Sequence, residues 1–288
     1  MNLTGTLNNS GGTLMLSAAT GPLALAGGTI SGGSIVQSGG GVLVPGVSTL
    51  STLNGVIVQG DLVLDSNANL RLAGSSGMAT GSSLRLGGSG GNTLAFTPGA
   101  TLVSGQIVCE AVGGLSTIGV TNGGGFTIAS GASIRGGAAT IGSLVFGGSG
   151  PVGFTNLGLI RADSPGSELK IAAAGGSFTN SGTVEAAAGA TLNISGLVSN
   201  YSGQALSGGT WRALNGSTVV FGPGAIRTSS ASLYLEGNAA FAAVAALETT
   251  NGSLTLAEGC AFGFAPTLGV FTIGVTGSLV KQGSSMAA

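Results

Sequence analysis

Histidine is absent from all 288 positions. Its absence excludes Ser/His/Asp and Cys/His catalysis and removes the commonest metal ligand. Charge is scarce as well: charged side chains make up 6% of the chain, against roughly 25% in an ordinary domain. The eight Lys and Arg are spread over the whole length and the formal net charge is −1. There is no basic stripe to neutralise phosphates, so nucleic acid is not an expected partner. The aspartates are Asp61, Asp65 and Asp163, too few for a calcium-binding solenoid that needs one in nearly every repeat. No apolar run reaches the roughly 18 residues of a membrane helix, so no transmembrane segment is expected. The aromatic content is 5%, and the alternating runs are about half the length of the roughly 10-residue strands of an outer-membrane barrel, which sets that fold aside. The opening MNLTGTLNNS has no basic segment followed by an apolar stretch, so no signal peptide is expected there. Cys109 and Cys260 stand in apolar or Gly/Ala settings. They read as buried small hydrophobes ahead of a disulfide, with a metal site remote.

What the chain does have is glycine, at 58 positions, and a hydrophobic fraction of 43%. Each interior glycine costs a helix about 1 kcal/mol relative to alanine, so helices are disfavoured almost everywhere. Disorder is the rival reading of any Gly/Ser-rich chain. The apolar residues oppose it: TLMLS (13–17), DLVLD (61–65), TLNIS (191–195), SLYLE (232–236) and SLTLAE (253–258) alternate with period 2 between turn residues. That pattern marks half-buried strands.

The strands repeat. FTNLGLIRADSPGSELKIA (154–172) aligns with FTNSGTVEAAAGATLNIS (178–195), and GTVEAAAGATLNISG (182–196) returns 27 positions later as GTWRALNGSTVVFG (209–222). A period of 23–27 residues is too short for a two-helix repeat and fits one coil of an all-β, single-stranded parallel β-helix, or β-solenoid. Roughly twelve coils at about 4.8 Å each predict a rod about 55 to 60 Å long. The spacing places Ile160, Val184 and Trp211 at one inward position and Leu169, Leu192 and Val219 at another, with coil girth varying to accept Trp211. Arg161, Glu185 and Arg212 alternate outward into solvent, where an exposed pair is worth a few tenths of a kcal/mol. Gly182, Gly189, Gly209 and Gly216 fall at turns suited to positive φ, and Asn156, Asn180 and Asn200 form a structural ladder at another corner. The clearest repeats span 120–237. Looser copies on both sides make residues 1–288 one continuous solenoid, with a short helical turn tolerated in NAAFAAVAALE (238–248).

Chemistry-bearing residues gather in one place. Arg161, Asp163, Glu168 and Lys170 lie within RADSPGSELK, with Glu185 one coil on. A polysaccharide lyase or hydrolase built on a β-helix would collect carboxylates with Arg or Lys in this way. The Ser-Pro-Gly turn and the exposed setting favour a solvated, protruding loop, so no catalytic, cofactor-binding or metal residue is assigned and no cofactor is expected. GGSGG (87–91) and TNGGGF (121–126) lack the Lys-Ser/Thr ending of a phosphate loop and read as turns. Asn-x-Ser/Thr triplets begin at Asn2, Asn8, Asn193, Asn200, Asn215 and Asn251, and imply glycosylation only in a eukaryotic host.

FTNLGLIRA, FTNSGTVEAAAGATLNISG and GGTWRALNGSTVVFG resemble the strand repeats of large bacterial surface proteins, namely autotransporter passengers and haemagglutinin-like adhesins. TGSLVKQGSS (276–285) resembles the start of the autotransporter-associated repeat, with Ser285 where that repeat has a second glycine. The resemblance implies a non-enzymatic, extracellular β-helix on a bacterial surface with a structural or adhesive role, a stiff spacer or a self-assembling fibre subunit. The partners it implies are copies of the chain itself, extracellular matrix or cell-surface glycans. The first sixty residues carry no charged side chain, which suits stacking of coils on one another. The competing classes are the polysaccharide-cleaving enzyme, a phage or viral fibre segment, which would trimerise, and an ice-binding solenoid. The last needs a flat Thr-x-Thr ladder, and the threonines are not expected to line up in register from coil to coil.

Overall fold

Each alternating run of the sequence becomes a short parallel strand, paired with its counterpart one coil earlier and one coil later. The computed structural model describes residues 1–260, 263, 265–267 and 269–283. It is a parallel β-solenoid of about 12 turns with about 23 residues per coil. Each coil contributes strands to three faces. The first face is a three-stranded sheet, Asn2–Leu3, Leu23–Leu25 and Leu43–Pro45, followed by a ten-stranded sheet from Leu62–Leu64 to Ser278–Gln282.

Register along the ten-stranded sheet shows why the fold holds. Leu62, Leu84, Ile107, Ile134, Ile160, Val184, Trp211, Leu233 and Leu254 stand in one column, and all are buried. Residues one step along each strand point to the other side of the sheet. Intervals in this column run from 21 residues (Leu233 to Leu254) to 27 (Ile107 to Ile134). The variation is taken up in the turns between strands, so register survives insertions. Leu169, Leu192 and Val219 form an equivalent buried column on the second face.

Core side-chain bulk varies from coil to coil along the axis. Phe126, Phe154 and Phe178 stack in register, with ring centroids 4.9 and 4.7 Å apart, and Phe96 of the neighbouring face lies 4.4 Å from Phe126. One coil after Phe178 its register position holds the smaller Val198, and one coil before Trp211 its position holds Val184. Trp211 of the following coil fills the vacated space, its ring reaching Phe178 edge-on at 6.4 Å and Phe221 at 5.7 Å. The indole thus takes up room beside the smaller Val184 and Val198. Its Nε1–H donates to the Gly208 carbonyl at 3.0 Å, satisfying the one polar atom it buries.

Two expectations about turns are refined. Gly189, Gly209 and Gly216 have φ of 75°, 67° and 75°. Gly182 does not adopt positive φ; a Cβ there would collide with the Gly158 carbonyl oxygen of the previous coil. Close approach of stacked corners, not backbone handedness, explains that glycine. The segment 238–248 holds a 3-10 helix, Ala242–Ala246, with Phe241 and Val244 buried.

Threonine registers differ from the sequence expectation. Thr101, Thr127, Thr155 and Thr179 stack in register, as do Thr93, Thr117 and Thr140. Unequal turns, including those across 110–115 and 145–151, hide this alignment in the linear sequence. The column is one threonine wide. Gly125, Gly153 and Ser177 occupy the strand positions beside Thr127, Thr155 and Thr179, so the paired Thr-x-Thr surface is not formed on these strands.

Candidate functional site: an arginine–carboxylate groove

Outward from the first face runs a column at the positions Val63, Arg85, Val108, Arg135, Arg161, Glu185, Arg212, Tyr234 and Thr255. Its centre is a ladder of ion pairs. Arg135 Nη2 lies 2.7 Å from Asp163 Oδ2, and Arg161 Nε lies 3.4 Å from Asp163 and 3.0 Å from Glu185 Oε1. Arg212 Nη1 lies 2.6 Å from Glu185 Oε2 and its guanidinium sits 4.6 Å above the Tyr234 ring. Arg161 Nε is aligned as a hydrogen bond with neither carboxylate, so that contact is electrostatic only.

The outward placement of Glu185 was expected, but its solvation was not. Glu185 is only 4% and Asp163 only 7% side-chain exposed, because arginines from adjacent coils close over them. Parallel in-register stacking sets Arg161 and Arg212 on either side of Glu185, so one carboxylate meets two guanidiniums. The five-residue cluster also divides. Arg161, Asp163 and Glu185 belong to the ladder. Glu168 and Lys170, beyond the turn, lie on the second face, where Asn193 Nδ2 donates to Glu168 Oε2 at 3.0 Å. Pro165 and Gly166 are exposed at the turn itself.

A groove of about 660 Å³ opens beside the ladder. Its charged wall is Arg161, Glu185 and Arg212; Leu157, Leu159 and Leu214 supply apolar surface, and Ser130 and Thr183 supply hydroxyls. Arg161 and Arg212 remain 37% and 34% side-chain exposed, and Leu157 is 44% exposed. The groove therefore offers cationic donors beside apolar surface, while its one carboxylate is held between two guanidiniums. The repeat alignment, with Arg161, Glu185 and Arg212 at equal positions and alternating sign, already implies that these charges face one another from coil to coil; what it does not imply is that the carboxylate is covered.

Below the groove, the asparagine ladder lines a corner. Asn156 Nδ2 donates to Asn180 Oδ1 at 2.9 Å and to the Thr183 carbonyl at 3.0 Å, and Asn180 Nδ2 donates to the Thr210 carbonyl at 3.2 Å. Both asparagines are buried. Asn200 joins differently, its Oδ1 accepting from the Asn180 backbone N–H at 2.6 Å. An antiparallel hairpin, Tyr201–Ser202 with Ala205–Leu206, follows it. The ladder is structural, as its spacing suggested.

Both cysteines are free and buried. Burial, aided by the negative charges of Glu110 and Asp163, pushes the Cys109 thiol up to about 12. Such a thiol is inert. Cys260 is also raised by burial, with Lys281 opposing. Burial and then Glu236 raise Tyr234, whose hydroxyl donates to Glu236 Oε2 at 3.2 Å. Among the described residues, no three His, Cys, Asp or Glu side chains gather as a metal site, and no helix is long and apolar enough to cross a membrane. Val220, in register with Asn193, stands 42% exposed. The segment resembling the autotransporter-associated repeat includes strand Ser278–Gln282, whereas Ser285 to Ala288 lie outside the described residues. No protein-family model, curated protein or solved structure matches this chain.

Proposed function

We propose that the chain is a non-catalytic, extracellular structural or adhesive rod of a bacterial surface. It serves as a stiff spacer or fibre subunit that meets matrix, glycans or copies of itself. The observation that carries this reading is the state of the groove carboxylate. Glu185 is covered and shared between Arg161 and Arg212, whereas a general acid or base must reach the proton it transfers. Stiffness follows from the stacking: each coil buries its apolar column only against its neighbours, so the coils lock in series. Self-association is supported by the outward residues of the uncharged coils. Met15, Val42, Val44 and Val47 are exposed there, and apolar side chains without charged guards favour lateral or end-to-end contact.

Negative-stain microscopy of the material in its native source tests the reading. Rods about 55 to 60 Å long, or filaments whose number rises with concentration, are expected from about 12 coils at about 4.8 Å. Globular particles would contradict the spacer role, and strictly monomeric sedimentation would contradict self-assembly.

A further inference from the structure

From the groove we infer a binding site for an acidic glycan, a sugar chain bearing carboxylate or sulfate groups, running along the rod axis over Arg161, Glu185 and Arg212. This rests on the non-catalytic adhesive reading and gives it a ligand and a location. Three observations carry it.

The first is charge. Among the residues that line the groove, Arg161 and Arg212 stand against Glu185, leaving one positive charge on the lining in a chain whose net charge is −1. The second is unused donor capacity. A guanidinium carries five N–H donors, and both ion-pair contacts of Arg161 run through Nε. Its terminal nitrogens are left to meet an anion. Because Glu185 draws on both arginines, their positions are fixed before a ligand arrives, which lowers the ordering cost of binding. The third is shape. Arg161 and Arg212 lie two coils apart, about 10 Å along the axis, with Arg135 one coil beyond Arg161. A linear ligand laid along the axis meets each in turn, and Leu157, Leu159 and Leu214 offer apolar surface to the carbon faces of sugar rings. A free carboxylate or phosphate would use the arginines and leave that apolar wall empty.

The test is calorimetric titration of the intact protein with tetragalacturonate, with its fully methyl-esterified form, and with a chondroitin sulfate tetrasaccharide. Saturable binding of one or both charged probes, weakened by salt, and no saturable binding of the ester is the expected result. Because chondroitin sulfate also carries carboxylates, sulfate recognition is read from its binding where tetragalacturonate does not bind, and binding of tetragalacturonate shows that carboxylates suffice. Arg161→Gln combined with Arg212→Gln is expected to weaken binding at least about tenfold, the scale of one lost charge-assisted hydrogen bond. Leu157→Glu sets a negative charge on the exposed rim without touching the ion pairs, and a loss of about tenfold is expected there too. Arg227→Gln, which removes the partner of Glu248 in a separate pair, is expected to leave affinity unchanged. Failure of both charged probes, or an ester that binds as tightly as the acid, overturns the site. Shortening of the glycan during incubation is scored separately: it would overturn the non-catalytic reading while leaving the binding site in place.

Discussion

Residues 2–59 and residues 132–213 build the same coil from different materials. The first region holds no charged side chain and no aromatic ring. Its interior is aliphatic, with Leu16, Leu25, Ile30, Ile35 and Leu53 buried, and hydroxyls and amides tie its coils together. Asn9 Nδ2 donates to the Ser34 carbonyl at 3.0 Å, Ser51 Oγ to the Leu25 carbonyl at 2.6 Å, and the Thr13 and Ser34 hydroxyls meet at 3.0 Å. The second region adds stacked rings, the buried asparagine ladder and the arginine–carboxylate ladder. The coil itself therefore requires only an inward apolar column, paired backbone and corners that close; rings and charges are additions that make one stretch of the rod distinct.

The comparison is broken most forcefully at Trp211. Trp211→Ala is expected to cost about 3–5 kcal/mol, and Ile35→Ala in the plain region about 2–5 kcal/mol. Denaturant unfolding reads the totals, and hydrogen exchange is expected to localise each loss to neighbouring coils, since coils contact only their neighbours. Protection falling evenly along the rod after either change would contradict the serial picture.

Alkaline titration next separates the plain region from the coil that leads into the second, because Cys109, between the two, has no counterpart in the first. Its folded-state pKa is raised from 9.0 to about 12. Between those values the unfolded chain has lost the proton while the folded chain retains it, so this contribution is complete below pH 9.0 and is lost as pH rises toward 12. The slope is up to about 1.4 kcal/mol per pH unit. Cys109→Ala is expected to flatten the stability profile over that window, and an unchanged profile would remove Cys109 from the account.

Asn180→Ala removes the donor to the Thr210 carbonyl and the acceptor of Asn156 Nδ2, at an expected cost of about 1–3 kcal/mol in thermal unfolding. Glu185→Gln should cost less. The carboxylate is covered, but its arginines are about a third exposed, which reduces the loss to about 1 kcal/mol. That loss should shrink as salt is added; salt independence would argue against an electrostatic origin. Smallest is Thr13→Val in the first region, expected within about 0.5 kcal/mol because the hydroxyl pair is solvent-exposed.

Much of the fold was legible because a period-2 apolar pattern and a repeated phrase specify strands and coils locally. Ile160, Val184 and Trp211 could be aligned by eye, and register placed them in one column. Asn156 and Asn180 were readable for the same reason. The threonine columns were not, since unequal turns shift the count between strands that touch. The candidate site was half legible. Arg161, Asp163 and Glu185 are readable in the repeat, yet the burial of the two carboxylates depends on arginines of adjacent coils closing over them.

What the sequence by itself determined is the solenoid: absent histidine, sparse charge, abundant glycine and period-2 alternation leave few other ways to bury these residues. What only the tertiary structure decided is which outward residues meet. It covered Glu185 and Asp163 with arginines, separated Glu168 and Lys170 from them, and brought Trp211 edge-on to Phe178. Local pattern fixes the face on which a side chain stands. Its neighbours are set by register, which depends on the length and shape of every intervening turn.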